Sequence, residues 1–179
     1  LGVIVILLAV FLISVYNSLV QLRQRVQNAW AQVDVQLKRR YDLIPNLVGA
    51  VKGYAQHEKA TLEGVTQARN MAMNAGNIQE QMQAENMLSG ALRSLFAVAE
   101  AYPELKANTN FMQLQAELTD TESKIAFARQ FYNDTVQKFN TKIELFPTNL
   151  VAGMLGFAMV DYFNLQGEPD ARQAVKVEF

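Results

Sequence analysis

The chain has 179 residues, a length suited to one domain, with no cysteine and a single histidine. Those two counts exclude disulfide staples, thiolate nucleophiles, thiolate-ligated metals and any site that needs two imidazoles. Half of the residues are apolar and 18% are charged, which points to a concealed apolar segment, and the net charge of −1 divides into +4 over residues 1–60 and −5 over the rest.

The apolar segment comes first. No charge stands between Leu1 and Leu22, and as a helix those positions span about 33 Å, enough for a hydrocarbon core of roughly 30 Å. A transmembrane helix is expected over residues 1–22, with Val3, Ile4, Leu7, Leu8, Phe11 and Leu12 in the bilayer and Tyr16 and Asn17 at its interface. A cleaved signal peptide would need a basic start and a small-x-small cleavage site. The run instead passes through Ser14 to Ser18 into a helical pattern without a break. Arg23 and Arg25 close it, and with Lys38, Arg39 and Arg40 they bias the soluble part toward the cytoplasmic side. These five bases are candidates for lipid or partner contact, although a straight helix carries Lys38 about 24 Å beyond Leu22, well outside a Debye length. The sequence pI of about 5.9 and the lack of aromatics among the bases argue against a nucleic-acid partner.

Beyond the anchor the periodicity is helical. Leu22, Val26, Ala29, Trp30, Val33, Leu37, Tyr41 and Ile44 form one stripe, with Trp30 read as packing. Pro45 predicts a kink or a new helix, and the pattern resumes through Leu62, Val65, Ala68 and Ala72 to a stop at Asn74-Ala75-Gly76. Ile78, Met82, Glu85, Leu88, Leu92, Leu95 and Ala99 mark a further helix ending at Tyr102-Pro103. After capping oxygens at Asn108-Thr109-Asn110 comes the longest stripe of the soluble part: Phe111, Leu114, Leu118, Thr121, Ile125, Ala128, Tyr132, Val136, Phe139 and Ile143.

Phe146-Pro147 breaks that helix. The uncharged segment Thr148 to Val160, too short to span a bilayer, is expected as a buried helix across one end of the bundle or as an interfacial or re-entrant segment, with Leu155 and Phe157 as candidate lipid or partner contacts. Val175 to Phe179 alternates with period two, so an extended tail is expected whose Val175, Val177 and Phe179 could pair with a partner chain. The divisions are thus 1–22 anchor, 23–145 bundle and 146–179 apolar helical segment with extended tail.

Catalytic constellations are wanting. His57 stands in Gln56-His57-Glu58-Lys59, but position 61 is Thr, so the zinc-protease pattern fails, and with no second histidine a di-iron bundle fails too. A hydrolase using His57 with Ser89, Ser94 or Ser123 lacks a strand-turn-helix elbow. Glu100, Glu104, Glu117 and Glu122 lack the oxygen spacing of a calcium loop and are read as helix-surface and cap charges. No cofactor or metal site is expected.

Several stretches resemble the LemA family of bacterial membrane proteins. Ala29-Trp30-Ala31-Gln32-Val33-Asp34 continuing to Tyr41-Asp42-Leu43-Ile44-Pro45-Asn46-Leu47-Val48 carries the resemblance most strongly. Tyr16-Asn17-x-Leu19-Val20, Val51-Lys52-Gly53-Tyr54-Ala55-x-His57-Glu58, Ala99-Glu100-Ala101-Tyr102-Pro103-Glu104-Leu105 and Phe146-Pro147-x-Asn149-Leu150 follow in matching order. The resemblance implies a membrane anchor followed by an antiparallel helical bundle and no established catalytic activity; some relatives act in magnetosome membrane formation. With the residue patterns it gives an all-α expectation: an N-terminal transmembrane helix continuing into four to five long helices. The expected function is a non-enzymatic, single-pass scaffold of the bacterial inner membrane that contacts the lipid bilayer, self-associates as a homo-oligomer or recruits a membrane-protein partner. The alternatives are an accessory subunit of a membrane protease or signalling complex and, more remotely, the His57 hydrolase.

Overall fold

A computed structural model describes residues 2–165, so the expected edge at Val175, Val177 and Phe179 lies outside the described residues. Within them the chain is all-helical, with no strand. The uncharged run and the first stripe join into one helix, α1 (Gly2–Lys52), about 77 Å long. Its large apolar side chains from Val3 to Val10 are more than half exposed, and Leu19 is the first to be fully buried. α1 is long and apolar enough to cross a membrane.

Pro45 does not break α1, contrary to the more disruptive sequence expectation. Proline has no N–H to give the carbonyl four residues back, which here belongs to Tyr41. Arg69 Nε donates to that oxygen at 2.7 Å, and Ile44, Leu47 and Val51 are buried on either side. A side chain from the next helix replaces the missing backbone donor, and packing holds the register. The break falls instead between Lys52 and Lys59, after Gly49 and Gly53 have weakened the helix, with Ala55 N–H folding back onto Val51 O at 2.8 Å. Arg69→Ala is expected to cost about 1–3 kcal/mol by orphaning that carbonyl, and much less in a Pro45→Ala background, where the restored N–H satisfies it. Equal costs in the two backgrounds, measured by chemical denaturation, would refute this role for Arg69.

α2 (Lys59–Met73) and α3 (Ile78–Glu100) form an antiparallel pair. Asn77 caps α3 by accepting from Glu80 N–H at 2.9 Å, while the Glu80 carboxylate accepts from Gly76 N–H at 2.8 Å. A single turn, α4 (Pro103–Lys106), leads to α5 (Thr109–Glu144), which Asn108 caps through Phe111 N–H at 3.0 Å.

By contacts the described residues divide into two units: residues 2–35 with Ile125–Tyr162, and Gln36–Lys124 with residues 163–165. The first packs Val15, Leu19, Val26, Ala29 and Val33 of α1 with Ile125, Tyr132, Val136 and Phe139 of α5. The second buries Leu37, Ile44, Leu47, Val65, Leu88, Leu95, Leu105, Phe111 and Leu118, together with Phe163.

The Thr148 to Val160 segment is not the helix expected from its composition. Only Thr148–Leu150 forms a 3₁₀ turn, followed by turns and irregular chain. Pro147 starts it, and Gly156 adopts φ +77°, a conformation costly for other residues, so no regular helix spans the segment. Thr148, Ala152 and Phe157 are buried, while Leu150, Met154 and Met159 are exposed.

Candidate functional site

Two constellations concentrate the polar and aromatic chemistry, one in each unit. In the second unit, Arg40 and Glu85 are 2% and 0% exposed. Arg40 Nη1 donates to Glu85 Oε2 at 2.8 Å, Nη2 donates to Ser89 Oγ at 3.0 Å, and Nε lies 2.8 Å from Glu122 Oε1. The Tyr41 hydroxyl donates to Glu85 Oε1, and the Gln81 amide nitrogen lies 2.8 Å from the Tyr41 oxygen and 2.9 Å from Glu85 Oε1. With Arg69 on the Tyr41 carbonyl, the network joins α1, α2, α3 and α5. Burial, followed by the adjacent Glu85 carboxylate, pushes the Tyr41 phenol well above its ordinary range, so the hydroxyl stays protonated and donating. A buried guanidinium holding a carboxylate fixes how helices dock; Arg40 Nε faces Glu122 as an ion pair without hydrogen-bond geometry.

Arg40, expected from sequence to face lipid or a partner, is instead buried. Arg40 falls in core register between Leu37 and Ile44, and its charge is met by Glu85 and Glu122 rather than by lipid. Lys38 is exposed, and Arg39 is exposed 4.0 Å from Asp120. Glu122, counted among the helix-surface acids, is the partially exposed partner of Arg40. A legible signal for the network was Glu85 on an otherwise apolar stripe: a carboxylate in that register needs a cation.

The first unit holds an aromatic constellation around Phe157, which is buried rather than available as a contact residue. Its ring meets Tyr16 at 5.8 Å and Phe139 at 6.4 Å, and the Arg23 guanidinium sits 5.2 Å from the ring centroid. Arg25 is exposed and Leu155 half-buried. Further along the same segment, Asn140 clamps Val160 with two 2.9 Å hydrogen bonds, donating to its carbonyl and accepting from its N–H. The Tyr132 hydroxyl donates to Asp161 O at 2.9 Å, and the Tyr132 ring meets Trp30 edge-on at 5.2 Å, in keeping with the packing role expected of Trp30.

Burial, and after it the Asp161 charge, raises the Tyr132 phenol to about 12. Because the folded value lies above the unfolded one of 10.0, this stability term is intact below pH 10 and lost as pH rises toward 12. A loss of about 3 kcal/mol is expected across that window, and Tyr132→Phe should flatten the slope. An unchanged alkaline slope in this variant, read from denaturation at stepped pH, would disprove the assignment.

His57 is exposed between α1 and α2 and makes no hydrogen bond or ion pair among the described residues. Ser89 accepts from Arg40, whereas Ser94 and Ser123 donate to carbonyls of their own helices. The structure does not bring together the elements of the remote hydrolase reading. No group of acids and histidine able to hold a metal occurs among the described residues.

Comparison with known proteins agrees with the motifs. The LemA family matches over residues 29–179. A protein named LemA from Metamycoplasma hominis is 30% identical over 82% of this chain and 68% of its own length. Magnetosome protein MamQ of Magnetospirillum gryphiswaldense and Magnetosome protein MamQ 1 of Paramagnetospirillum magneticum are each 24% identical over 83% of this chain. The chain spans 64% of the length of each of these two magnetosome proteins. With most of the chain matched, an all-helical fold and an N-terminal apolar helix, the protein belongs to the LemA family.

Proposed function

We propose that this protein is a non-enzymatic, single-pass scaffold of the bacterial inner membrane, which self-associates or recruits partners from a helical bundle on the cytoplasmic side. The observation that carries the reading is the continuity of α1: one helix presents exposed apolar side chains from Val3 to Val10 and, without a break, supplies Leu19, Val26, Val33 and Leu37 to packed cores. Such a helix holds a folded body at a membrane surface. The magnetosome names of two relatives favour a role in organising membrane, and Arg23 and Arg25 directly after the apolar run favour a cytoplasmic body. Light scattering on detergent-extracted protein is expected to give a mass of several copies; a strictly monomeric mass at high concentration counts against self-association.

A groove in the second unit supports the recruitment arm. It encloses about 820 Å³ beside α2 and is lined by Val48, Leu62 and Met71 together with Lys52, Lys59 and Glu63. A few apolar side chains among polar ones and charges of both signs, with Gln56, Thr66, Gln67, Asn70 and Asn74 completing the lining, suit an amphipathic segment of a partner.

A further inference from the structure

We propose that the segment from Leu145 to Val160 inserts into the headgroup and upper acyl layer of the leaflet beside α1, forming a second, shallow membrane contact. The inference rests on the reading of α1 as a membrane anchor and goes beyond it by assigning lipid to a different part of the chain.

The first support is position along α1. Phe157 meets Tyr16 and Arg23, and α1 carries no charge from Gly2 to Leu22. Tyr16 and Arg23 are seven residues apart, about 10.5 Å of helix rise. Phe157 therefore lies alongside the last two turns of the apolar run, between the first cation and a level about 10 Å deeper, and Leu145 borders Leu22 at their end, the depth of an interfacial element. Arg23 marks the upper edge, where its guanidinium lies over the Phe157 ring at the end of the apolar run.

The second is the composition and exposure of the segment. No charge occurs between Glu144 and Asp161, and Leu145, Phe146, Leu150, Met154 and Met159 are more than half exposed, Met154 at 87%. Left in water, so dense a group of large apolar side chains would be an aggregation hazard. Next to an apolar helix it has a ready solvent in lipid. Phe157 and Thr148 anchor the segment inward while these side chains point away from the core.

The third is charge. Lys138 and Lys142 share a recess of about 390 Å³ with Leu22 and Leu145. Two lysines thus border the end of the apolar run, the level at which anionic phosphates would lie beside an anchored α1. Charge boundary, apolar surface and basic rim coincide, and the occupant that matches all three is an anionic bilayer surface.

Because the chain contains no cysteine, single-cysteine variants can carry an environment-sensitive fluorophore without competing thiols. Leu150→Cys and Met154→Cys replace exposed side chains, so folding is preserved; Leu8→Cys reports the anchor and Phe127→Cys a distant exposed face of α5. The full chain is reconstituted in phosphatidylcholine–phosphatidylglycerol vesicles containing lipids nitroxide-labelled at shallow or deep acyl positions. Probes at 150 and 154 are expected to show blue-shifted emission, quenching by the shallow nitroxide and protection from iodide, whereas the probe at 127 behaves as in water and the probe at 8 is quenched by the deep nitroxide. Water-like probes at 150 and 154 with the probe at 8 still in lipid overturn this proposal and leave the anchor standing. A water-like probe at 8 overturns both. Probes at 150 and 154 shielded from iodide yet untouched by either nitroxide assign the surface to protein, such as a second copy, and also overturn the lipid assignment.

Discussion

Arg40→Ala is expected to destabilise the protein by about 3–5 kcal/mol, because it leaves Glu85 charged, fully buried and stripped of its cation. At about 2–4 °C per kcal/mol for a chain of this size, the thermal midpoint should fall by roughly 6–20 °C. Glu85→Leu should cost a similar amount, since Arg40 then keeps only Ser89 and the partly exposed Glu122. The double variant Arg40→Met/Glu85→Leu should cost less than the sum of the single changes, because no buried charge is left facing an apolar partner. Glu122→Gln, at a side chain 41% exposed, should cost less than about 1 kcal/mol. Far-UV circular dichroism during thermal unfolding in detergent supplies all four values. Single variants within about 1 kcal/mol of the parent would show that the pair does not organise the core.

Phe157→Ala is expected to cost about 3–5 kcal/mol, the range for removing a buried aromatic ring. The effect should be regional. Phe157 contacts Tyr16, Phe139 and Arg23, all in the first unit, and its segment is held further along by Asn140 and Tyr132. Amide exchange should accelerate at Val160, whose N–H donates to Asn140, while amides of α3 around Leu88 and Leu95 keep their protection. Uniform acceleration across both units would mean that Phe157 supports global stability rather than this segment. Phe157→Leu, which retains most of the apolar volume, should restore much of the loss.

The helix stripes were readable because amphipathic periodicity reports directly on burial. Nearly every position assigned to the α5 stripe, from Phe111 to Phe139, is buried, and the expected capping oxygen is found at Asn108. Three features escaped for physical reasons. Lys38, Arg39 and Arg40 look alike as a run of bases, yet consecutive helical residues point about 100° apart, so a run of three cannot share one environment. Arg40 alone lies in register with Leu37 and Ile44, and Glu85 was its counterpart on the facing stripe. The intrinsic cost of Pro45 predicts a break only where nothing else serves the freed carbonyl. Arg69, 28 residues beyond Tyr41, does so, and no local window contains both.

The apolar stretch from Thr148 to Val160 escaped for a different reason. Apolar content gives burial or lipid contact but not backbone geometry, and Pro147, Gly153 and Gly156 favour turns over a regular helix. What fixes its path is tertiary: Phe157 between Tyr16 and Phe139, and the Asn140 clamp on Val160.

The most direct test of the scaffold reading is imaging of the full-length chain extracted together with its surrounding lipid. The expected result is particles containing several copies in a regular arrangement, with the α1 segment from Val3 to Leu12 embedded in the lipid and the helical bundle outside it. Single copies without ordered neighbours or partners, or α1 packed against protein with no lipid around it, would contradict the account.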